Sequence, residues 1–105
     1  MGLGPIGSST KALARAGLTA KDVDIAEVNE AFASQAIASL RDLNLPHEKV
    51  NLDGGAMAIG HPLGATGARI TGKAAALLKR EGKSIALATQ CIGGGQGIAT
   101  VLEAV

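Results

Sequence analysis

Three polar side chains of this sequence have the right chemistry and setting for a reaction: Asn29, His61 and Cys91. His61 lies between Gly60 and Pro62, just before an apolar helical pattern. A residue that precedes proline is restricted to extended backbone angles, which fixes the direction of the imidazole. Helix N-terminal amides nearby would suit an electrophile or a proton-transfer group. The alternative is a loop histidine satisfied by backbone hydrogen bonds, and the residues alone leave both interpretations open.

Cys91 follows an apolar run and precedes Ile92 and three consecutive glycines, Gly93 to Gly95. Glycines allow a ligand to approach closely and leave backbone N–H groups free to point at it. A cysteine in this place could be a nucleophile, or a base if a positive neighbour stabilises the thiolate. A lone cysteine is more often a small buried hydrophobe, and that alternative also stays open.

Asn29 stands where a predicted strand ends and a predicted helix begins. It could be the N-cap of that helix, because asparagine is a favoured cap. It could also use its side-chain amide to position a water or a carbonyl group. Three residues later, Phe32 is most simply a core residue, and Glu30 could complement the helix dipole.

The bulk composition predicts one domain over residues 1–105, able to bury a core, since 47% of its residues are hydrophobic and 18% charged. The net charge of +1 and the single aromatic residue argue against nucleic-acid binding. His47, His61 and Cys91 do not have the spacing of metal ligands, so we expect no metal site.

Cysteine usage and hydropathy bear on location. One cysteine excludes an intrachain disulfide, which suits a reducing compartment, and we expect a cytoplasmic protein. No apolar run is long enough for a membrane span. The first residues lack the basic and apolar regions of a signal peptide.

Periodicity and turn residues predict an α/β fold. The last two strands flank the glycine-rich turn and could form an antiparallel hairpin. Residues 50–63 are not periodic and predict a structured loop, with a short strand possible near Val50. We predict helices over 6–16, 30–43 and 64–80, and strands over 23–28, 84–89 and 97–102.

Three segments together resemble the motifs of the thiolase family. Asn29-Glu-Ala-Phe-Ala33 resembles the NEAF motif, Gly60-His-Pro62 within residues 54–67 the GHP motif, and Cys91-Ile-Gly the C-x-G motif. They occur in the family's order and at similar separations, and the resemblance covers almost the whole chain. It implies a thiolase C-terminal domain, in which helices cover the faces of a mixed sheet.

The resemblance also implies roles for individual residues. Cys91 would exchange a proton with the α-carbon of an acetyl group. His61 would donate to the thioester oxygen, and Asn29 would hold a water that completes this oxyanion site. The N–H of Gly93 would belong to a second oxyanion hole. The remaining two positions, Ala31 and Phe32, would line the substrate pocket.

One departure from the family pattern limits the implied activity. Thiolases carry the acyl group on a different cysteine in their N-terminal half, and this sequence has only Cys91. The first strand of the C-terminal sheet, expected in its centre, would precede Met1. We therefore expect this chain to be the C-terminal portion of a thiolase. It should be inactive alone and need an N-terminal half for a full site, and the intact enzyme should be a homo-oligomer. Coenzyme A would be a substrate, with no cofactor.

Two other hypotheses remain open. The chain could be a subunit completed by a separate N-terminal chain, or a non-catalytic domain kept for dimerisation or binding. The presence of all three motif residues, Asn29, His61 and Cys91, argues against the second of these, because a binding module does not need them.

Overall fold

The computed structural model describes residues 2–105, which form an α/β fold as predicted. The first strand is shorter and the last two strands are longer than predicted. The second and third predicted helices begin later than expected, and the loop over 50–63 contains one additional helical turn. The elements are α1 (Gly4–Arg15), β1 (Ile25–Val28), α2 (Ala33–Leu43), α3 (Ala56–Ile59), α4 (Thr66–Glu81), β2 (Ile85–Ile92) and β3 (Gln96–Glu103). Within residues 2–105, every helix is too short or too polar to cross a membrane.

The three strands form one mixed sheet in the order β1, β2, β3. β1 runs parallel to β2, with Val28 opposite Thr89. β2 and β3 form the expected antiparallel hairpin, which turns through three glycines. Gly94 and Gly95 have φ angles of 79° and 74°, a backbone conformation that glycine adopts without steric cost.

The first strand expected to precede Met1 stays a prediction, but the centre of the sheet has no open place for it. β1 and β2 are hydrogen-bonded directly to each other, so the sheet has no gap in its centre. On the other side of β1, Val50 forms an isolated parallel bridge with Ala26. The possible short strand near Val50 is therefore reduced to a single pairing.

Helices cover both faces of this sheet, and each face has its own apolar core. One core contains Leu13 of α1, Leu43 of α2 and Leu87 of β2. The other core packs Ile70 and Leu77 of α4 against the opposite face. This three-layer arrangement covers both faces of the sheet and leaves its strand ends free to carry polar groups.

The first turn of α1 lies directly against the backbone of β3. A Cβ atom added to Gly4 would lie 2.2 Å from the carbonyl oxygen of Gln96, and one added to Gly97 would lie 2.2 Å from Gly4. Side chains cannot fit at this distance, so the two glycines are required for α1 to pack on the hairpin.

We expect Gly4→Ala to destabilise the chain by about 1–3 kcal/mol, because the methyl group must displace backbone atoms. Gly7→Ala is the matched control within the same helix, where an added Cβ meets nothing within 4 Å. That change should stabilise by about 0.5–1 kcal/mol through helix propensity. Urea unfolding of both variants measures the difference, and equal effects would contradict the close packing.

Glu27 is a carboxyl group buried in the middle of β1, with only 1% of its surface exposed. Burial raises its pKa to about 7, although the positive charges of Arg69 and Lys73 on α4 partly oppose this. The protonated form is therefore favoured in the folded chain at a pH where the unfolded carboxyl is ionised.

The raised pKa of Glu27 makes stability depend on pH. The contribution of Glu27 to the free energy of unfolding is fully present below the unfolded pKa of 4.5. It is lost as the pH rises through about 7, the pKa in the folded chain. The free energy of unfolding should fall by up to about 3 kcal/mol across this window. Glu27→Gln should flatten the profile in urea unfolding at pH 4.5 to 8. An unchanged slope in the variant would show that Glu27 is not responsible.

Candidate functional site

Asn29 directly follows β1 and continues its pairing with β2. Its backbone N–H donates to the carbonyl of Thr89 at 3.0 Å, and its side chain is 1% exposed. The N-cap interpretation was wrong, because α2 begins only at Ala33 and Phe32 occupies the cap position. The sheet ladder holds Asn29 at the carboxyl end of the parallel strands, where α/β folds commonly bind ligands.

His61 meets Asn29 at this edge of the sheet. The Nε2 atom of His61 lies 3.5 Å from Nδ2 of Asn29. Its other ring nitrogen, Nδ1, lies 2.6 Å from the hydroxyl oxygen of Thr66. The imidazole is exposed on one side, while Asn29 and Thr66 are buried beneath it. The ring is therefore held at both nitrogens and remains open to a ligand.

Thr66 determines which nitrogen of His61 carries the proton. The Thr66 hydroxyl donates its single proton to the carbonyl of Pro62 at 3.0 Å. It can then only accept from His61, so Nδ1 is the donor and the Nε2 lone pair faces the Asn29 amide. In this state Nε2 accepts a proton; once both nitrogens are protonated, Nε2 can donate.

Sequence reasoning missed Thr66. The available signal was a threonine four residues after Pro62, within the first turn of a helix. At that spacing a threonine hydroxyl reaches the carbonyl of residue i−4. The contact to the ring of His61 depends on the loop geometry between them and has no sequence signature.

Cys91 lies near the end of β2, two residues beyond Thr89 and opposite Gly97 of β3. It is 8% exposed and is a free thiol. The sheet thus brings Cys91 to the same end as Asn29, but no hydrogen bond within residues 2–105 links its sulfur to Asn29 or His61. Gly93 follows in the exposed turn of the hairpin.

The residues after Asn29 differ from their simplest interpretations. Phe32 is 58% exposed and is not a core residue, because it lies outside α2. Ile37, an apolar residue within α2, is 49% exposed. Ala31 is half-buried beside Asn29. Glu30 does not serve α2: its carboxylate accepts the Met57 N–H at 3.0 Å and so caps α3.

The loop that leads to α3 and His61 is fastened to α4 by an ion-pair cluster. Arg80 donates to both carboxylate oxygens of Asp53, at 2.6 and 2.9 Å, and Lys73 also contacts Asp53. These hydrogen bonds hold the pKa of Asp53 well below its ordinary value and raise that of Arg80. The cluster fixes one end of the segment that carries the histidine.

Two cavities of the chain lie outside the group formed by Asn29, His61 and Cys91. One runs between α1 and β3, beside Gly4 and Lys11, and the other lies under the loop around Asn51 and Gly54. Neither is lined by the three motif residues. Residues 2–105 also contain no cluster of three potential metal ligands.

Comparison with known proteins identifies the family. Residues 1–104 match the family of thiolase C-terminal domains. The chain belongs to the thiolase family. It is 55% identical to a 3-ketoacyl-CoA thiolase of Shewanella denitrificans and 56% identical to one of Alcanivorax borkumensis, in each case over 100% of this chain. It spans only 28% of the length of these relatives.

Solved structures show the same fold. The thiolase domain superposes on human mitochondrial 3-ketoacyl-CoA thiolase with a TM-score of 0.96 and 49% identity, covering 99% of this chain and 26% of that one. A second structure of the human enzyme, in complex with CoA, matches equally well. An acetyl-CoA acetyltransferase of Bacillus anthracis matches with a TM-score of 0.95 and 43% identity, over the same shares of the two chains.

Replacing Thr66 with valine should free His61, because valine has nearly the same shape but no hydroxyl. We expect a loss of about 1 kcal/mol of stability and a shift of the His61 tautomers away from the Nδ1–H form. Nitrogen-15 NMR of the imidazole measures the tautomers. Thr66→Ser keeps the hydroxyl and is the control. An unchanged His61 spectrum in Thr66→Val would contradict the assigned contact.

Proposed function

We propose that this chain is the C-terminal catalytic portion of a thiolase. The complete enzyme would interconvert 3-oxoacyl-CoA plus CoA with acyl-CoA plus acetyl-CoA. The observation that supports this most strongly is the contact of Asn29 with His61, at the sheet edge that also carries Cys91. This arrangement has the two parts that the reaction needs, a proton-transfer group and donors for an enolate oxygen.

In this proposal Cys91 transfers the proton at the α-carbon. In the direction of cleavage, the bond between the α- and β-carbons of the 3-oxoacyl group breaks and its electron pair stays on the α-carbon. Cys91 then donates the proton that completes acetyl-CoA and is left as a thiolate. The acyl group is taken by a nucleophilic cysteine outside this chain. In condensation the thiolate of Cys91 receives the α-proton and becomes a thiol.

His61 and Asn29 stabilise the thioester oxygen of the enolate. When both of its ring nitrogens are protonated, His61 donates from Nε2, which faces Asn29. Asn29 holds a water that donates alongside it. Its buried Oδ1 makes no hydrogen bond within residues 2–105, which leaves an acceptor for that water. Each oxyanion donor contributes about 3 kcal/mol to the barrier reduction. The N–H of Gly93 serves the second oxyanion hole.

Substrate binding and assembly involve further groups. Ala31 and the exposed ring of Phe32 line the acyl pocket, and coenzyme A enters as a substrate and not as a resident cofactor. The N-terminal half supplies the acylated cysteine and most of the CoA site. The intact enzyme is a homo-oligomer of the cytoplasm. The short span of this chain relative to its relatives supports the need for that half.

We predict that the purified chain does not cleave acetoacetyl-CoA in the presence of CoA, because it lacks the acylated cysteine. Supplying the N-terminal half of a related 3-ketoacyl-CoA thiolase, by fusion or coexpression, should restore cleavage measured as loss of the enolate absorbance. Cleavage by the chain alone would contradict the proposed division of roles.

The matched controls use the restored protein. Cys91→Ala and His61→Ala should lower kcat by at least about 100-fold, whereas His47→Ala should leave it unchanged. His47 is the other histidine of the chain and lies in an exposed turn. Full activity of Cys91→Ala would exclude the proton-transfer role. A natural N-terminal chain that copurifies and restores activity would identify this chain as a subunit.

A further inference from the structure

Asn51 binds the end of β1 with its side chain. The Val28 N–H donates to Oδ1 of Asn51 at 2.9 Å, and Nδ2 of Asn51 donates to the Val28 carbonyl at 2.9 Å. A paired residue on a neighbouring strand would satisfy the same two backbone groups. The carboxamide therefore takes the place of a neighbouring strand at Val28, on the side of β1 that faces away from β2.

These two bonds act on Asn29 through the peptide group that joins it to Val28. The Val28 carbonyl and the Asn29 N–H belong to one planar unit. Asn51 holds the carbonyl at 2.9 Å, and Thr89 accepts the N–H at 3.0 Å. Because the unit is held from both sides, the direction in which the Asn29 side chain leaves the backbone is fixed.

Asn51 is itself held firmly. Its φ angle is 51°, in the left-handed region that asparagine tolerates better than most residues. Its N–H donates to Ala26 and its carbonyl accepts from Gly54, both at 2.9 Å. A Cβ on Gly55 would lie 2.7 Å from the Asn51 amide nitrogen, so the loop packs closely around the side chain.

We propose that Asn51 is a positioning residue for the thiolase reaction. It does not touch the reacting atoms; it orients Asn29 toward His61 by fixing the Val28–Asn29 peptide. This inference rests on the proposed function for its catalytic consequence, whereas the positioning itself can be measured in the isolated chain.

The first experiment compares two glycine substitutions. Asn51→Gly keeps the left-handed backbone but removes both side-chain bonds. Asn44→Gly is matched to it, since Asn44 also has a positive φ, of 55°, but its side chain makes no hydrogen bond within residues 2–105. NMR should show faster hydrogen exchange at the Asn29 N–H and shifted side-chain amide signals of Asn29 in Asn51→Gly only. A purely structural role would speed exchange throughout the chain. Asn29 signals equal in the two variants would overturn the proposal.

Asn51→Asp provides a rescue that keeps the test decisive if the glycine variant fails to fold. The ionised aspartate accepts from Val28 but cannot donate to its carbonyl. Protonation restores a donor, so the Asn29 signals should return toward those of the unaltered chain as the pH falls. Spectra of the unaltered chain at each pH remove the contributions of His61 and Glu27. Asn29 signals that stay displaced at low pH would contradict the proposed role of the two hydrogen bonds between Asn51 and Val28.

Kinetics in the protein restored with an N-terminal half separate this inference from the proposed function. Asn51→Gly should lower kcat by up to about 100-fold with little change in KM, as expected for a misplaced group. Asn44→Gly should leave both constants unchanged. If the unaltered restored protein is inactive, the proposed function fails while the NMR result stands. If it is active and Asn51→Gly is equally active, the positioning role is wrong.

Discussion

The parallel pairing of β1 with β2 is the interaction on which the rest of the site depends. It places the residue after β1 and the last residues of β2 at one edge of the sheet, where Asn29 donates to Thr89 and Cys91 lies two residues further on. Parallel strands need a long connection between them. Here that connection contains the loop with His61 and the helix α4, so the same crossover that makes the pairing possible also delivers the histidine.

The site is built around buried polar side chains that are held in place by the backbone and by neighbouring loops. Thr66 is completely buried, yet its hydroxyl serves both Pro62 and His61. Burying such groups is favourable only when their bonds are made. The result is a histidine whose orientation is fixed by the protein before any substrate arrives, which is what electrostatic stabilisation of an enolate requires. A freely rotating histidine could not provide it.

The elements were largely predictable because helical and strand periodicities reflect which face is buried. Errors arose where a local signal had two explanations. Asn29 has the chemistry of an N-cap, but its N–H is bound by β2, so the chain stays extended until Ala33. Glu30 has the chemistry of a helix-start charge, but the helix it serves is α3, more than twenty residues away along the chain. Glu30 therefore caps a different helix from the one expected, whereas Asn29 caps no helix and belongs to the sheet pairing.

By itself, the sequence determined the fold class, the hairpin at the glycines and the motif residues of the family, since these follow from periodicity, turn chemistry and residue order. Tertiary structure decided what those residues touch. It set the order of the strands in the sheet. It also brought His61 against Thr66 across an irregular loop, and it paired Asn51 with Val28, distant along the chain, through two hydrogen bonds. Such contacts depend on how the layers pack around the sheet, and a local pattern of side chains carries no record of that packing.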